Sequence, residues 1–293
     1  MALGLPGPYP GVASCHDSGI TCPEKTDPFD SAGSWDLHQF VAATGLVIGA
    51  GMTLAGLQIP SIPLAILLTL PGLAIGIPSL YRILPAGTLR AKAGLPAALA
   101  TMGLLSLGFF GGDAFLPLTL ISMRGQSTLF AGAALTAATL TWTAGSWLQA
   151  KLAPRQGRRM LVTAGLLLIV LGLAGIASVL IPSVPALVAI VAWGVGGLGM
   201  GLAYSTISLV VLETAPAGQE GAATASMELA SVLGSALGTG LGGVIITLAA
   251  AAGSVPATGM ILVDILVIAV IGIALLTAVR LPGRPRPTAS LTA

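Results

Sequence analysis

Between Met160 and Leu212 the chain carries no Asp, Glu, Lys or Arg, and several other runs are nearly as bare. Each such run holds one or two stretches of about 18–25 residues, long enough to cross a hydrocarbon layer about 30 Å thick as a helix. Charged residues are 8% of the 293-residue sequence and hydrophobic ones 55%, with mean hydropathy +0.98. A soluble domain has roughly a quarter of its residues charged. So few charges cannot cover a surface in water, and lipid is the solvent that suits this composition. The class expected is an all-α polytopic membrane helical bundle. Net charge is only +2, which leaves no basic field for nucleic acid.

Eight spans are predicted, near 39–57, 62–80, 95–120, 127–149, 160–181, 185–212, 222–249 and 258–279. In lipid every backbone N–H and C=O needs an internal partner, so each apolar run must be helical. Residues 1–37 differ: five acids (Asp17, Glu24, Asp27, Asp30, Asp36), Lys25, and Pro6, Pro8 and Pro10 predict a polar tail with too little apolar surface to fold. No apolar run follows a basic start there, so a signal peptide is not expected. The organisation read from the chain is a tail at 1–37, two helices at 38–81, a basic linker at 82–94, six helices at 95–282 and a short tail at 283–293.

The cations sort these spans. Cytoplasmic loops retain Lys and Arg during insertion. With both termini inside, Lys25, Arg82, Arg90, Lys92, Lys151, Arg155, Arg158, Arg159, Arg280, Arg284 and Arg286 are internal and Arg124 alone is external. An odd number of spans breaks this partition. The expectation is a multi-pass protein of the cytoplasmic membrane with both ends cytoplasmic.

The segment GSWLQAKLAPRQGRRMLV places Gly145, Arg155, Gly157, Arg158 and Arg159 in the order of a Gly followed by a short basic turn. It resembles the signature loop of the major facilitator superfamily. GSALGTGLGG, Gly234 to Gly243, resembles the Gly-rich helix signature of the proton-coupled drug antiporter branch, and FFGGDAFLPLTL resembles the opening helix of a six-helix half. The resemblance implies that residues 95–282 form a complete second half, that 82–94 is the linker between halves, and that 38–81 are the last two helices of a first half whose earlier helices are missing.

Asp113 lies about 27 Å along its span from Leu95 at 1.5 Å per residue. A carboxylate at that depth costs at least ~2.5–3.5 kcal/mol unless it is neutral, paired or facing water. It reads either as a cavity group exchanging protons or as a helix-end carboxyl near Pro117. Glu228, about 9 Å into its span, reads as a cavity carboxylate, as a partner of the basic loop, or as a side chain snorkelling to the interface; a direct pair with Asp113 is not expected. By the resemblance, Asp264, about 9 Å into the last span, would sit on an outer scaffold helix. Trp142 and Gln149 line a cavity if their face points inward, with Tyr204 and Met227 weaker candidates of the same kind. Trp147 reads as an interfacial anchor. Gly234, Gly238, Gly242 and Gly243, with Gly197 and Gly201, read as helix-packing positions, because small residues four apart let backbones approach in lipid. A phosphate cradle needs a Lys and a hydroxyl after its glycines, and these spans contain no Lys. Cys15, His16 and Cys22 match no metal-ligand spacing, so neither metal nor cofactor is expected.

The function implied by the resemblance is proton-coupled efflux of a small molecule by alternating access. Asp113, Glu228, Trp142 and Gln149 would serve protons or substrate. Gly145, Lys151, Arg155, Gly157, Arg158 and Arg159 would form a conformational loop. The alternative is a non-transporting fragment, or a half-transporter that needs a partner such as a second copy. An enzyme is not expected, because His16 and His38 are the only histidines and neither lies inside a span.

Overall fold

A computed structural model describes residues 37–283 apart from 58, 60, 84–86 and 89–90. The tail reading of 1–36, the Cys15–His16–Cys22 group, the end segment 284–293, and Lys25, Arg90, Arg284 and Arg286 lie outside the described residues.

The described residues are helical, with no strand among them: α1 Leu37–Leu57, α2 Ile62–Ile83, α3 Leu95–Leu118, α4 Thr128–Leu152, α5 Arg158–Val179, α6 Leu187–Thr214, α7 Glu220–Ala251 and α8 Pro256–Ala278. α3 runs on into a π-helical turn, Thr119–Met123. Pro117 removes one N–H donor within α3, and widening of the turn beyond it is one way a helix absorbs that loss.

Six helices, α2, α3, α5, α6, α7 and α8, are long and apolar enough to cross a membrane. The two others of the eight expected spans differ for separate reasons. In α1 the apolar part is shorter, Val41–Leu57. α4 has 25 residues but is rich in threonine. Its hydroxyls turn back onto their own helix: Thr136 donates to the Gly132 carbonyl at 2.8 Å, Thr139 to Leu135 at 3.0 Å and Thr141 to Ala137 at 2.9 Å. Satisfied this way, the hydroxyls need no water, and α4 remains compatible with lipid.

α6 is the hub. It packs between α4 and α5, while α3 packs on α7 and α8. The approach of α6 to its neighbours is set by glycine. A Cβ at Gly197 or Gly201 would strike the Ala138 or Trp142 carbonyl of α4, and one at Gly199 would strike the Gly165 carbonyl of α5. On α7, Gly234 and Gly238 lie against the Gly103 and Leu107 carbonyls of α3, and Gly242 lies against the Phe115 ring. Gly243 departs from the packing expectation: open space surrounds it. It stands next to Gly242 and so about 100° round a 3.6-residue helix from the contact stripe. Between these contacts sit the fully buried side chains Met102, Leu105, Leu166, Ile169, Trp193, Met200 and Ile271.

Connections between neighbours gather the charges. Arg280, just beyond α8, donates to the Ala91 carbonyl of the linker at 3.1 Å. Gly157, before α5, touches the Gly283 carbonyl. Linker, basic loop and the end of α8 thus share one end of the bundle. At the other end Arg124 donates to the carbonyls of Ile181 at 3.0 Å and Val184 at 2.5 Å. An even number of crossings between the linker and the basic loop is built into this arrangement.

Because a backbone carbonyl cannot yield to a side chain, Gly234→Leu should destabilise the bundle by about 1–3 kcal/mol. Gly243→Leu should leave it unchanged. Thermal unfolding of the purified protein in detergent reads the difference.

Candidate functional site

The chain is a polytopic helical membrane protein, and two of its carboxylates, Asp113 and Glu228, meet one aromatic array. Phe109 of α3 stacks on Trp193 of α6, with ring centroids 4.8 Å apart and planes 11° apart. Phe110 and Trp142 meet Phe109 edge-on at 5.4 and 5.9 Å. Trp142 of α4 then reaches Tyr204 of α6 at 5.8 Å. These spacings fall in the range where ring quadrupoles attract.

A carboxylate terminates the array at each end. Trp193 donates its indole N–H to Asp113 Oδ1 at 2.7 Å. Tyr204 donates its hydroxyl to Glu228 Oε1 at 3.0 Å. Both donors belong to α6, eleven residues apart, or about 16 Å along the axis. Asp113 and Glu228 therefore do not pair directly, as their depths predict, yet α6 links them through stacked rings. Trp193 is fully buried and Asp113 half-buried, whereas Glu228 is exposed on the flank of α7. Pro117 stands four residues after Asp113, so the Asp113 carbonyl also lacks its usual i+4 N–H donor.

The basic loop is held by a different carboxylate from the one expected. Arg158 makes a two-pronged contact with Glu213 at the end of α6, Nη2 to Oε1 at 2.7 Å and Nε to Oε2 at 3.3 Å. Its Nη1 donates to the Ala153 carbonyl at 3.0 Å. Glu228, expected as a possible partner of this loop, is instead bound by Tyr204. Lys151 lies over the Trp147 ring at 3.4 Å from its centroid, a cation–π contact. Arg155 and Arg159 are exposed and have no ion-pair partner among the described residues.

Gly145 and Gln149 lie on the buried face of α4. A Cβ at Gly145 would strike the Leu198 carbonyl, so Gly145 seats α4 on α6. Gln149 continues the same buried stripe as Ala138 and Gly145. It does not join the aromatic array, and its Nε2 is buried without a hydrogen-bond partner among the described residues. Gln149 is four residues after Gly145 and shares its face; it lies seven residues, about 10 Å, beyond Trp142 along the axis. Met227 is buried, and Asp264 is buried in α8. Glu213 went unmarked in the sequence; the one available signal is that it closes the long uncharged run starting after Arg159.

No protein-family model matches the chain, and no curated protein matches it.

Arg158→Gln and Glu213→Gln, alone and combined, should give a coupling energy of about 1 kcal/mol in a double-mutant cycle on thermal stability. That figure is set by a charge-assisted two-pronged contact whose carboxylate is partly solvated.

Proposed function

We propose that the protein is a secondary transporter of the major facilitator type, a drug/proton antiporter that exports small amphipathic molecules by alternating access. The observation that carries this reading is the aromatic array with an intramembrane carboxylate at each end. Ionisable groups at such depth are expensive and are generally kept for ion or substrate pathways. Aromatic faces beside carboxylates suit a flat organic cation, which gains both cation–π and ionic attraction.

In this mechanism Asp113 alternates between a proton and the cationic substrate. In the proton-free form the carboxylate accepts the Trp193 indole N–H; protonation weakens that charge-assisted bond and frees Trp193 and the stacked Phe109 to shift. Glu228 and Tyr204 serve the inner stage of the pathway. Arg158 and Glu213 act as a latch that ties the start of α5 to the end of α6 and opens as these ends separate. The basic end faces the cytoplasm by the retention of cations on that side. Transport, rather than enzyme chemistry, fits a site whose polar groups are two carboxylates and indole or phenol donors.

A second reading has one observation in its favour. Glu228 is exposed on α7 within the span, and a carboxylate facing acyl chains is costly. A second copy covering that face, with water between, would relieve the cost and enclose the array from both sides.

Reconstitution in proteoliposomes with an imposed pH gradient tests the first reading, with ethidium as the probe cation. Wild type should move ethidium against the proton gradient, and Asp113→Asn should lower the rate at least about tenfold. Trp193→Phe, which keeps the stack and loses the N–H donor, should fall between them. Equal proton-driven flux in wild type and Asp113→Asn would remove Asp113 from its role.

A further inference from the structure

Among the described residues, the basic end carries more cations than carboxylates. Among the described residues the carboxylates near it are Glu213 and Glu220. Glu213 is taken by Arg158, and Glu220 Oε1 accepts the Gly218 N–H. Arg159 projects beside these with no ion-pair partner among the described residues. Beneath it runs a surface groove of about 460 Å³. Gly157 and Gly283 close one end, and Arg159, Met160, Thr163, Ala164 and Leu167 line it along α5, the Thr163 hydroxyl donating back to the Arg159 carbonyl at 2.8 Å. From Arg159 to Leu167 is eight residues, about 12 Å into the hydrocarbon.

The two ends of this groove ask for different chemistry in one ligand. At the head, the Arg159 guanidinium stands in the first turn of α5, which starts at Arg158 with no side-chain cap. Along the shaft, exposed Met160 and Leu167 offer only apolar contact. A free anion would use the head and leave the shaft empty; an uncharged acyl chain would use the shaft and leave Arg159 without a counter-ion.

We propose that this groove binds one anionic phospholipid, its phosphate on Arg159 and one acyl chain along Met160, Ala164 and Leu167. The inference is independent of what the protein transports. The site pins the α5–α8 edge to the leaflet on the basic side, next to the Arg158–Glu213 contact. Leaflet anionic charge thereby bears on the part of the bundle where the basic loop meets α6.

Native mass spectrometry of the purified full-length protein in a neutral detergent provides the test. The probes are palmitoyl-oleoyl phosphatidylglycerol, phosphatidylcholine with the same chains, and inorganic phosphate. One phosphatidylglycerol should be retained per chain, at least about fivefold more tightly than phosphatidylcholine, and excess phosphate should not displace it. Arg159→Gln should weaken phosphatidylglycerol about fivefold, the effect of one basic side chain at an anionic head group. Ala164→Phe, which fills the shaft and leaves the charges alone, should weaken it as well, with circular dichroism unchanged. Arg155→Gln, outside the groove, should bind as wild type. Equal affinity for the two lipids, displacement by phosphate, or equal losses in Arg155→Gln and Arg159→Gln would each overturn the proposal.

Discussion

Hydrocarbon offers no hydrogen bonds, and this absence governs the arrangement of the whole bundle. Each polar group inside must find a partner in the protein or pay several kcal/mol. The threonines of α4 bond their own helix. Ser106 of α3 meets Ser231 of α7 at 2.9 Å, and Thr101 of α3 meets Thr277 of α8 at 2.9 Å. Asp113 and Glu228 take an indole and a phenol. Gln149 departs from this, with one buried donor unmatched among the described residues, and no hydrogen bond or ion pair reaches the buried Asp264 among them.

Lipid also removes the usual drive to bury apolar surface, so helix contacts rest on close packing. That is why α6, pressed between α4 and α5, spends so much of its length on glycine. From α6, Trp193 and Tyr204 reach the helices α3 and α7 that carry Asp113 and Glu228. Packing and site are joined there: the backbone approach of α6 to α4 at Gly197 and Gly201 sets the spacing at which Trp142 meets Tyr204.

Much of the fold is readable from the chain, because charge-free length and cation clustering are one-dimensional signals. The run expected at 160–181 is α5 at Arg158–Val179, and that at 222–249 is α7 at Glu220–Ala251. The shared end of linker and basic loop follows from parity alone. What the chain hides is rotation about each helix axis. A span apolar on every side has almost no directional pattern, so nothing marked Gln149 as facing α6 or Gly243 as facing open space. Partner choice is hidden for the same reason. Glu213 lies at the end of α6 and Glu228 on α7 beside it, and only the helix rotations give Arg158 to the first and Tyr204 to the second. The π-helical turn after Pro117 is half legible: the proline marks a fault, but its form depends on the surrounding packing.

Sidedness of the two ends bears on everything above, and single-cysteine accessibility measures it. With Cys15 and Cys22 replaced by Ser, cysteines introduced at Lys92, Arg155 and Gly125 can be probed in oriented vesicles with a membrane-impermeant maleimide. A bundle whose linker and basic loop share one end predicts labelling of positions 92 and 155 from one face and of 125 from the other. Labelling of 92 and 155 from opposite faces would contradict the arrangement of helices, and with it the site they enclose.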